Sequence, residues 1–228
     1  MADHVRDLAS VRDATEGLLT AAAKLNNDSV AEPSRLPGWT RGHVLAHLAR
    51  NADALANVFA GRPMYASPEA RDADIERNAP RPLDVQLADV RESAARLLQA
   101  WAVTADWSRT VELRNGVTDT AAGVPFRRWA EVELHHVDLG IGYELEGLPA
   151  EFTEREITFL ADRFTGHPEV PHTVVTDGTR AWSTGSESAG PTVTVTGPAP
   201  ELLGWLSGRR DGADLDVRGG TLPALPPL

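Results

Sequence analysis

In the segment RRWAEVELHHVDLG, Glu131 and His135 lie four residues apart, and in RGHVLAHLARN so do His43 and His47. On a helix that spacing stacks two side chains on one face, one turn apart. Asp138, three residues beyond His135, falls close to the same face. A Glu-x-x-x-His pair can give two ligands to one divalent ion, as helix-borne zinc sites do. A bundle that turns the second helix toward the fourth would complete a His–Glu–His set. His47, beside Leu48, sits at the edge of the apolar stripe, and His43 lies a turn nearer the helix start. The remaining coordination position would be open, as in a catalytic zinc site. The competing reading makes each histidine a surface or hydrogen-bonded core residue and pairs Glu131 with Arg127 or Arg128.

Helices must position these groups, and the first ~145 residues carry the matching periodicity. Val5, Leu8, Val11, Leu18, Leu19 and Leu25 recur at helical spacing over residues 3–25. Asn26–Pro37 breaks that pattern with polar residues and two prolines. Thr40 is placed to cap a second helix running to about Phe59. Residues 61–82, rich in Pro, Arg and Asp, are expected to be a long loop with at most one short helix. That loop carries Arg62, Tyr65, Arg71 and Arg81, which could serve binding or simply be solvated. A third helix is expected over Leu83–Val103, a small hairpin within Thr110–Gly123, and a fourth helix from about Pro125 to Tyr143. Four helices with long connections predict a bundle, whose ligand sites lie between facing helices.

The pattern changes after Gly147. Thr153–Phe164 reads as a short helix, while His172–Val175 and Thr192–Thr196 alternate as half-buried strands do. Thr176-Asp177-Gly178-Thr179 is a turn between two short strands, and Pro200–Gly208 is a leucine-rich helix. The expected fold class is therefore α+β. Residues 1–147 form an N-terminal four-helix bundle, and residues 148–228 form a small α+β C-terminal domain. The tail Leu222–Leu228, with three prolines, is expected to be extended.

Composition narrows the function. The chain has 228 residues, of which 42% are hydrophobic and 24% charged, enough to bury a core. Acidic residues outnumber Lys and Arg by 33 to 22, for a formal charge of −11. Lys24 is the only lysine, and no basic patch offsets that field, so a nucleic-acid partner is not expected. No apolar run reaches the ~18–20 residues of a membrane helix, and MADHVRDLASVRDATE lacks a signal core. The expected location is cytoplasmic. With no cysteine, the chain offers no thiolate ligand and no thiol nucleophile of its own. Any metal must be held by His and carboxylate, and any sulfur chemistry must use an external thiol.

The segments LPGWTRGHVLAHLARNADAL, PMYASPEARDADIE and RWAEVELHHVDLG resemble the mycothiol-dependent maleylpyruvate isomerases, and GPAPELLGWLSGR resembles that family's last helix. The resemblance covers nearly the whole chain. It implies a DinB-like metal-binding four-helix bundle joined to a small sterol-carrier-like C-terminal domain. It also implies that the metal ligands are His47, Glu131 and His135, with His43 and His136 as neighbours, and that the catalytic arginine is Arg209. Arg210 directly follows it, so spacing leaves the two open. The implied ion is divalent, with zinc expected, and the implied thiol is mycothiol.

The implied reaction is the cis-to-trans conversion of maleylpyruvate to fumarylpyruvate in the gentisate route of aromatic degradation. Rotation about a carbon–carbon double bond is blocked until that bond becomes single. A thiolate achieves this by adding, allowing rotation and leaving, and metal coordination generates the thiolate. The expected partners are thus a small dicarboxylate substrate and a small thiol. Another mycothiol S-transferase, or a non-catalytic metal-binding protein, remains the alternative. Trp39, Trp101, Trp129 and Trp205 are expected to serve packing.

Overall fold

The computed structural model describes residues 3–227, and they divide into two compact units between Tyr143 and Glu144. In the first unit the chain runs α1 (His4–Ala22), a single-turn α2 (Asn27–Val30), α3 (Arg41–Phe59), α4 (Pro68–Asn78) and α5 (Leu83–Ala102). A two-stranded antiparallel hairpin of β1 (Thr110–Glu112) and β2 (Thr118–Thr120) leads to α6 (Val124–Asp138). The four long helices pack as a bundle, α3 on α5, α1 on α6, and α3 on α6. Leu18, Leu19, Val44, Leu45, Leu48, Val90, Val132 and Leu139 form their shared core.

Capping fixes where α3 begins. Thr40 Oγ1 accepts the backbone N–H of His43, and His43 Nδ1 in return accepts the N–H of Thr40 at 3.2 Å. This reciprocal arrangement satisfies donors that the first helical turn leaves open. It sets the rotation of α3 and thereby the face on which His47 emerges.

Between α3 and α5, where the sequence pattern suggests a long loop with room for one short helix, residues 68–78 form a three-turn helix. Ser67 caps it by accepting from the N–H of Ala70, and Pro68 starts it with a backbone already suited to a helix. Only Ile75 of α4 is fully buried, which is why the helix shows so little apolar periodicity. Its far end is held against α3 at Gly42. A Cβ on Gly42 would lie 2.2 Å from the Ala79 carbonyl oxygen, so no larger residue fits without displacing the backbone. Gln86 Nε2 donates to the carbonyls of Ala79 and Arg81 and completes the anchor.

The second unit contains α7 (Ala150–Phe164), β3 (Thr173–Thr176), β4 (Ala181–Thr184), β5 (Val193–Thr196), α8 (Ala199–Leu206) and β6 (Asp216–Arg218). The sheet order is β4-β3-β5-β6, with β3 and β5 parallel and the outer pairs antiparallel. Val175 and Val195 point into the core, and α7 packs on β4 and α8. Leu202, Leu203 and Leu206 of α8 are buried, the packing that its leucine pattern predicts. The strand β6, only three residues long, lies outside what the alternation signals. Residues 222–227 carry no regular element, and Leu228 of the expected tail lies outside the described residues. Among the described residues no helix is long and apolar enough to cross a membrane.

Candidate metal centre

Two helices bring three side chains together. His47 projects from α3, and Glu131 and His135 project one turn apart from α6. Their ligand atoms lie within 4.8 Å of one another, a group able to hold a metal ion. His47 Nε2 is 2.8 Å from Glu131 Oε2, and His135 Nε2 is 3.3 Å from the same oxygen. The two imidazoles meet edge to face with centroids 4.6 Å apart. The core that surrounds α3 and α6 makes this approach possible. Leu48 and Val132, adjacent to the site residues in sequence, are both buried in it.

Each flanking group has a definable effect. Asp138 Oδ2 accepts from His135 Nδ1 at 2.8 Å, which places that imidazole's other nitrogen toward Glu131. Asp138 is buried, so this carboxylate is a fixed feature of the α6 end. Burial disfavours charge on His135, but the bonds to Asp138 and Glu131 outweigh it and raise the pKa above the usual histidine range. Burial alone would raise Glu131. The neighbouring His47 and His135 instead hold its carboxyl well below the usual carboxylate range. At His47 burial dominates and lowers the pKa to about 4, so this ring is neutral near pH 7.

The donor set fits a divalent ion. Two imidazoles and a carboxylate are borderline ligands of the kind zinc accepts, and the buried carboxylate behind His135 is the usual support for a ligating histidine. Arg71 of α4 reaches the opposite side, its Nη2 lying 3.2 Å from His47 Nδ1. A guanidinium only donates, so this contact makes Nδ1 the acceptor and puts the His47 proton on Nε2, facing Glu131. An ion held through Nε2 of a neutral ring would require that proton on Nδ1, so the Arg71 contact would have to give way on loading. Arg71, Trp39, Leu36 and Pro37 join the three side chains around a cavity of about 340 Å³. Trp39 leans on His47 with centroids 5.5 Å apart. The cluster is therefore lined on one side by an aromatic wall and on the other by a cation.

The remaining sequence candidates lie elsewhere. His43 is consumed by its cap, and its Nε2 contacts Glu76 Oε2 at 3.3 Å, so the structure separates it from His47. His136 turns away and stacks on Tyr143 at 4.1 Å between centroids. Arg127 pairs with Asp119, and Arg128 is buried against α3, where Glu131 favours its charge through space. Arg62 donates to Asn57 and, with Tyr65, lines a larger cavity of about 510 Å³ beside the hairpin. Arg81 pairs with Asp89. Arg209 follows α8 in the second unit, with its Nη1 donating to the Ser207 carbonyl at 3.2 Å. Arg210 is engaged by Glu201 and by Glu146. In the sequence Arg71 stands out only as a residue of the 61–82 loop. Its contact with His47 depends on the packing of α4, which periodicity does not signal.

The fold finds its counterpart in solved structures. Among the crystal structures that match are one of a mycothiol-dependent maleylpyruvate isomerase and one of a histidine-to-alanine mutant of it. Each has 27% sequence identity and a TM-score of 0.89, covering 99% of this chain and 97% of the other. No curated protein sequence matches significantly. The domain model described as mycothiol maleylpyruvate isomerase N-terminal domain matches residues 11–140, which include all three clustered side chains. The model described as MDMPI C-terminal domain matches residues 147–227. With both units matched in order, the chain belongs to the mycothiol maleylpyruvate isomerase family.

Proposed function

We propose that this protein is a metal-dependent cis–trans isomerase that uses mycothiol to convert maleylpyruvate to fumarylpyruvate. The observation that carries this reading is the His47–Glu131–His135 cluster, formed from α3 and α6 within a chain of this family. His47, Glu131 and His135 would hold the ion, and zinc suits the donor set. A divalent ion and a small thiol, when bound, supply a thiolate able to add reversibly to the cis double bond and so free it to rotate. The chain has no cysteine, which makes an external thiol necessary for that chemistry.

The chain's own groups do the positioning. Asp138 keeps the His135 Nδ1 proton and aims Nε2 into the cluster. Trp39, Leu36 and Pro37 supply an apolar wall beside the ligands, against which the substrate's carbon skeleton can pack. Arg71 lines the same cavity and can accept a substrate carboxylate in the fixed fork geometry of a guanidinium. We assign Arg209 to the second carboxylate and to the negative charge that develops on addition, as the family resemblance implies.

The test is an isomerase assay with purified protein, maleylpyruvate and mycothiol, followed by loss of the cis substrate. The proposal expects turnover that requires both the thiol and the ion. No isomerisation, together with mycothiol transfer to an electrophile, would instead make the protein an S-transferase. Retained metal with no turnover on any thiol adduct would make it a non-catalytic metal-binding protein.

A further inference from the structure

A second cavity lies away from the metal cluster, bounded by α1, α5 and α6, with a volume of about 120 Å³. Its walls are largely apolar, with Val11 and Leu97 among the buried side chains that line it. Arg128 and Trp101 are the polar side chains of that wall that matter here. Arg128 is 1% exposed and Trp101 is 2% exposed. Both keep a buried N–H group without a hydrogen-bond partner among the described residues, Nη2 of Arg128 and Nε1 of Trp101.

Arg128 is an unusual residue to find there. Its Nη1 donates to the Leu48 carbonyl at 3.0 Å and to Asn51 Oδ1 at 2.8 Å, both neutral acceptors on α3. No carboxylate pairs with it among the described residues. Burial lowers its pKa to about 10, which still leaves it cationic near pH 7. Glu131 and Asp53 favour its charge only through space, too weakly to offset burial, and a buried guanidinium N–H left without an acceptor is costly. At the rim, Arg12 and Arg91 outnumber Glu16, so the approach is also net positive.

We propose that this cavity is a binding site for a small monocarboxylate with a compact apolar body. The carboxylate would accept from Arg128 Nη2 and Trp101 Nε1, and the body would fill the space between α1 and α5. Cavities near 150 Å³ admit molecules about the size of benzene, so an occupant with a four- or five-carbon skeleton suits this one. Inorganic anions would satisfy the cation but leave the apolar walls unfilled. Arg128 is bonded to α3 at Leu48, which follows His47, and at Asn51, one turn further on, so the site is part of the same bundle yet uses none of the cluster's ligands.

The experiment uses the full chain and isobutyrate as the probe, followed by the indole N–H resonances in a 15N–1H spectrum. The Trp101→Phe protein identifies the Trp101 signal. Saturable isobutyrate binding should shift that signal, and isobutyramide and acetate should bind at least about tenfold more weakly, the loss of roughly one charge-assisted contact or of the apolar body. Binding should persist in the His47→Ala protein and vanish in Arg128→Met. Should Arg128→Met fail to fold, Ala94→Leu, which narrows the cavity while keeping Arg128, should abolish binding instead. An unmoved Trp101 signal at high isobutyrate, or equal affinity for isobutyramide, would overturn the proposal and leave the cavity to water.

Discussion

Asp138 and His135, three residues apart on α6, are joined by a 2.8 Å hydrogen bond that determines which imidazole nitrogen faces Glu131. The bond lies at the buried end of the helix, where Asp138 is 1% exposed. Outer carboxylates of this kind typically change metal affinity by ~10–100-fold. We therefore expect Asp138→Asn to keep its fold and lose affinity for zinc within that range, measured by competition with a chromophoric chelator. Unchanged affinity would reduce Asp138 to a helix-end residue.

The same pair makes ion uptake dependent on pH. His135 has a raised pKa, so below that value an ion must displace a proton from it. Apparent affinity should then fall by about tenfold for each unit of pH, and level off above the raised pKa. Removing the Asp138 carboxylate withdraws support from the imidazolium, so the break should move to lower pH in Asp138→Asn. A break that stays put would assign the proton to another group.

His43 and His47 should separate cleanly. His47→Ala should lose the ion. His43→Ala should retain it and lose about 1 kcal/mol of stability, the worth of one capping hydrogen bond, measured by urea denaturation. Loss of metal in His43→Ala with the fold intact would contradict the assignment of its ring to the Thr40 cap.

Arg209 and Arg210 differ in their engagements, and their substitutions should differ in kind. Arg210→Ala removes partly exposed pairs with Glu146 and Glu201, which together are worth on the order of 1 kcal/mol. It should leave turnover nearly unchanged. Arg209→Ala should retain metal and fold and lose at least ~100-fold in kcat/KM, about 2.7 kcal/mol of transition-state stabilisation. Normal turnover in Arg209→Ala would make that arginine structural.

Much of the cluster can be read from spacing, because Glu131 and His135 repeat with the helix and Leu48 and Val132 mark the buried faces beside them. Spacing alone does not separate His43 from His47. The distinction comes from Thr40, whose cap takes up the His43 ring, an interaction that depends on where the helix starts. The helix α4 escapes because its charged sequence buries little beyond Ile75, although Ser67-Pro68 is a good start signal. Arg71 is consequently invisible as a neighbour of His47 until α4 is packed. The strand β6 is held by pairing with β5, and three residues are too few to show alternation. Arg128 looks like a surface cation in RRWAEVE, and only the packing of α6 buries it.

The central claim is that His47, Glu131 and His135 hold an ion that also receives the thiol sulfur. Loading the protein with cobalt(II) and adding mycothiol tests it directly by absorption spectroscopy. We predict a sulfur-to-cobalt charge-transfer band that saturates at one thiol per chain and is absent from the His135→Ala protein. A cobalt-loaded protein that isomerises maleylpyruvate with mycothiol yet shows no such band would contradict it.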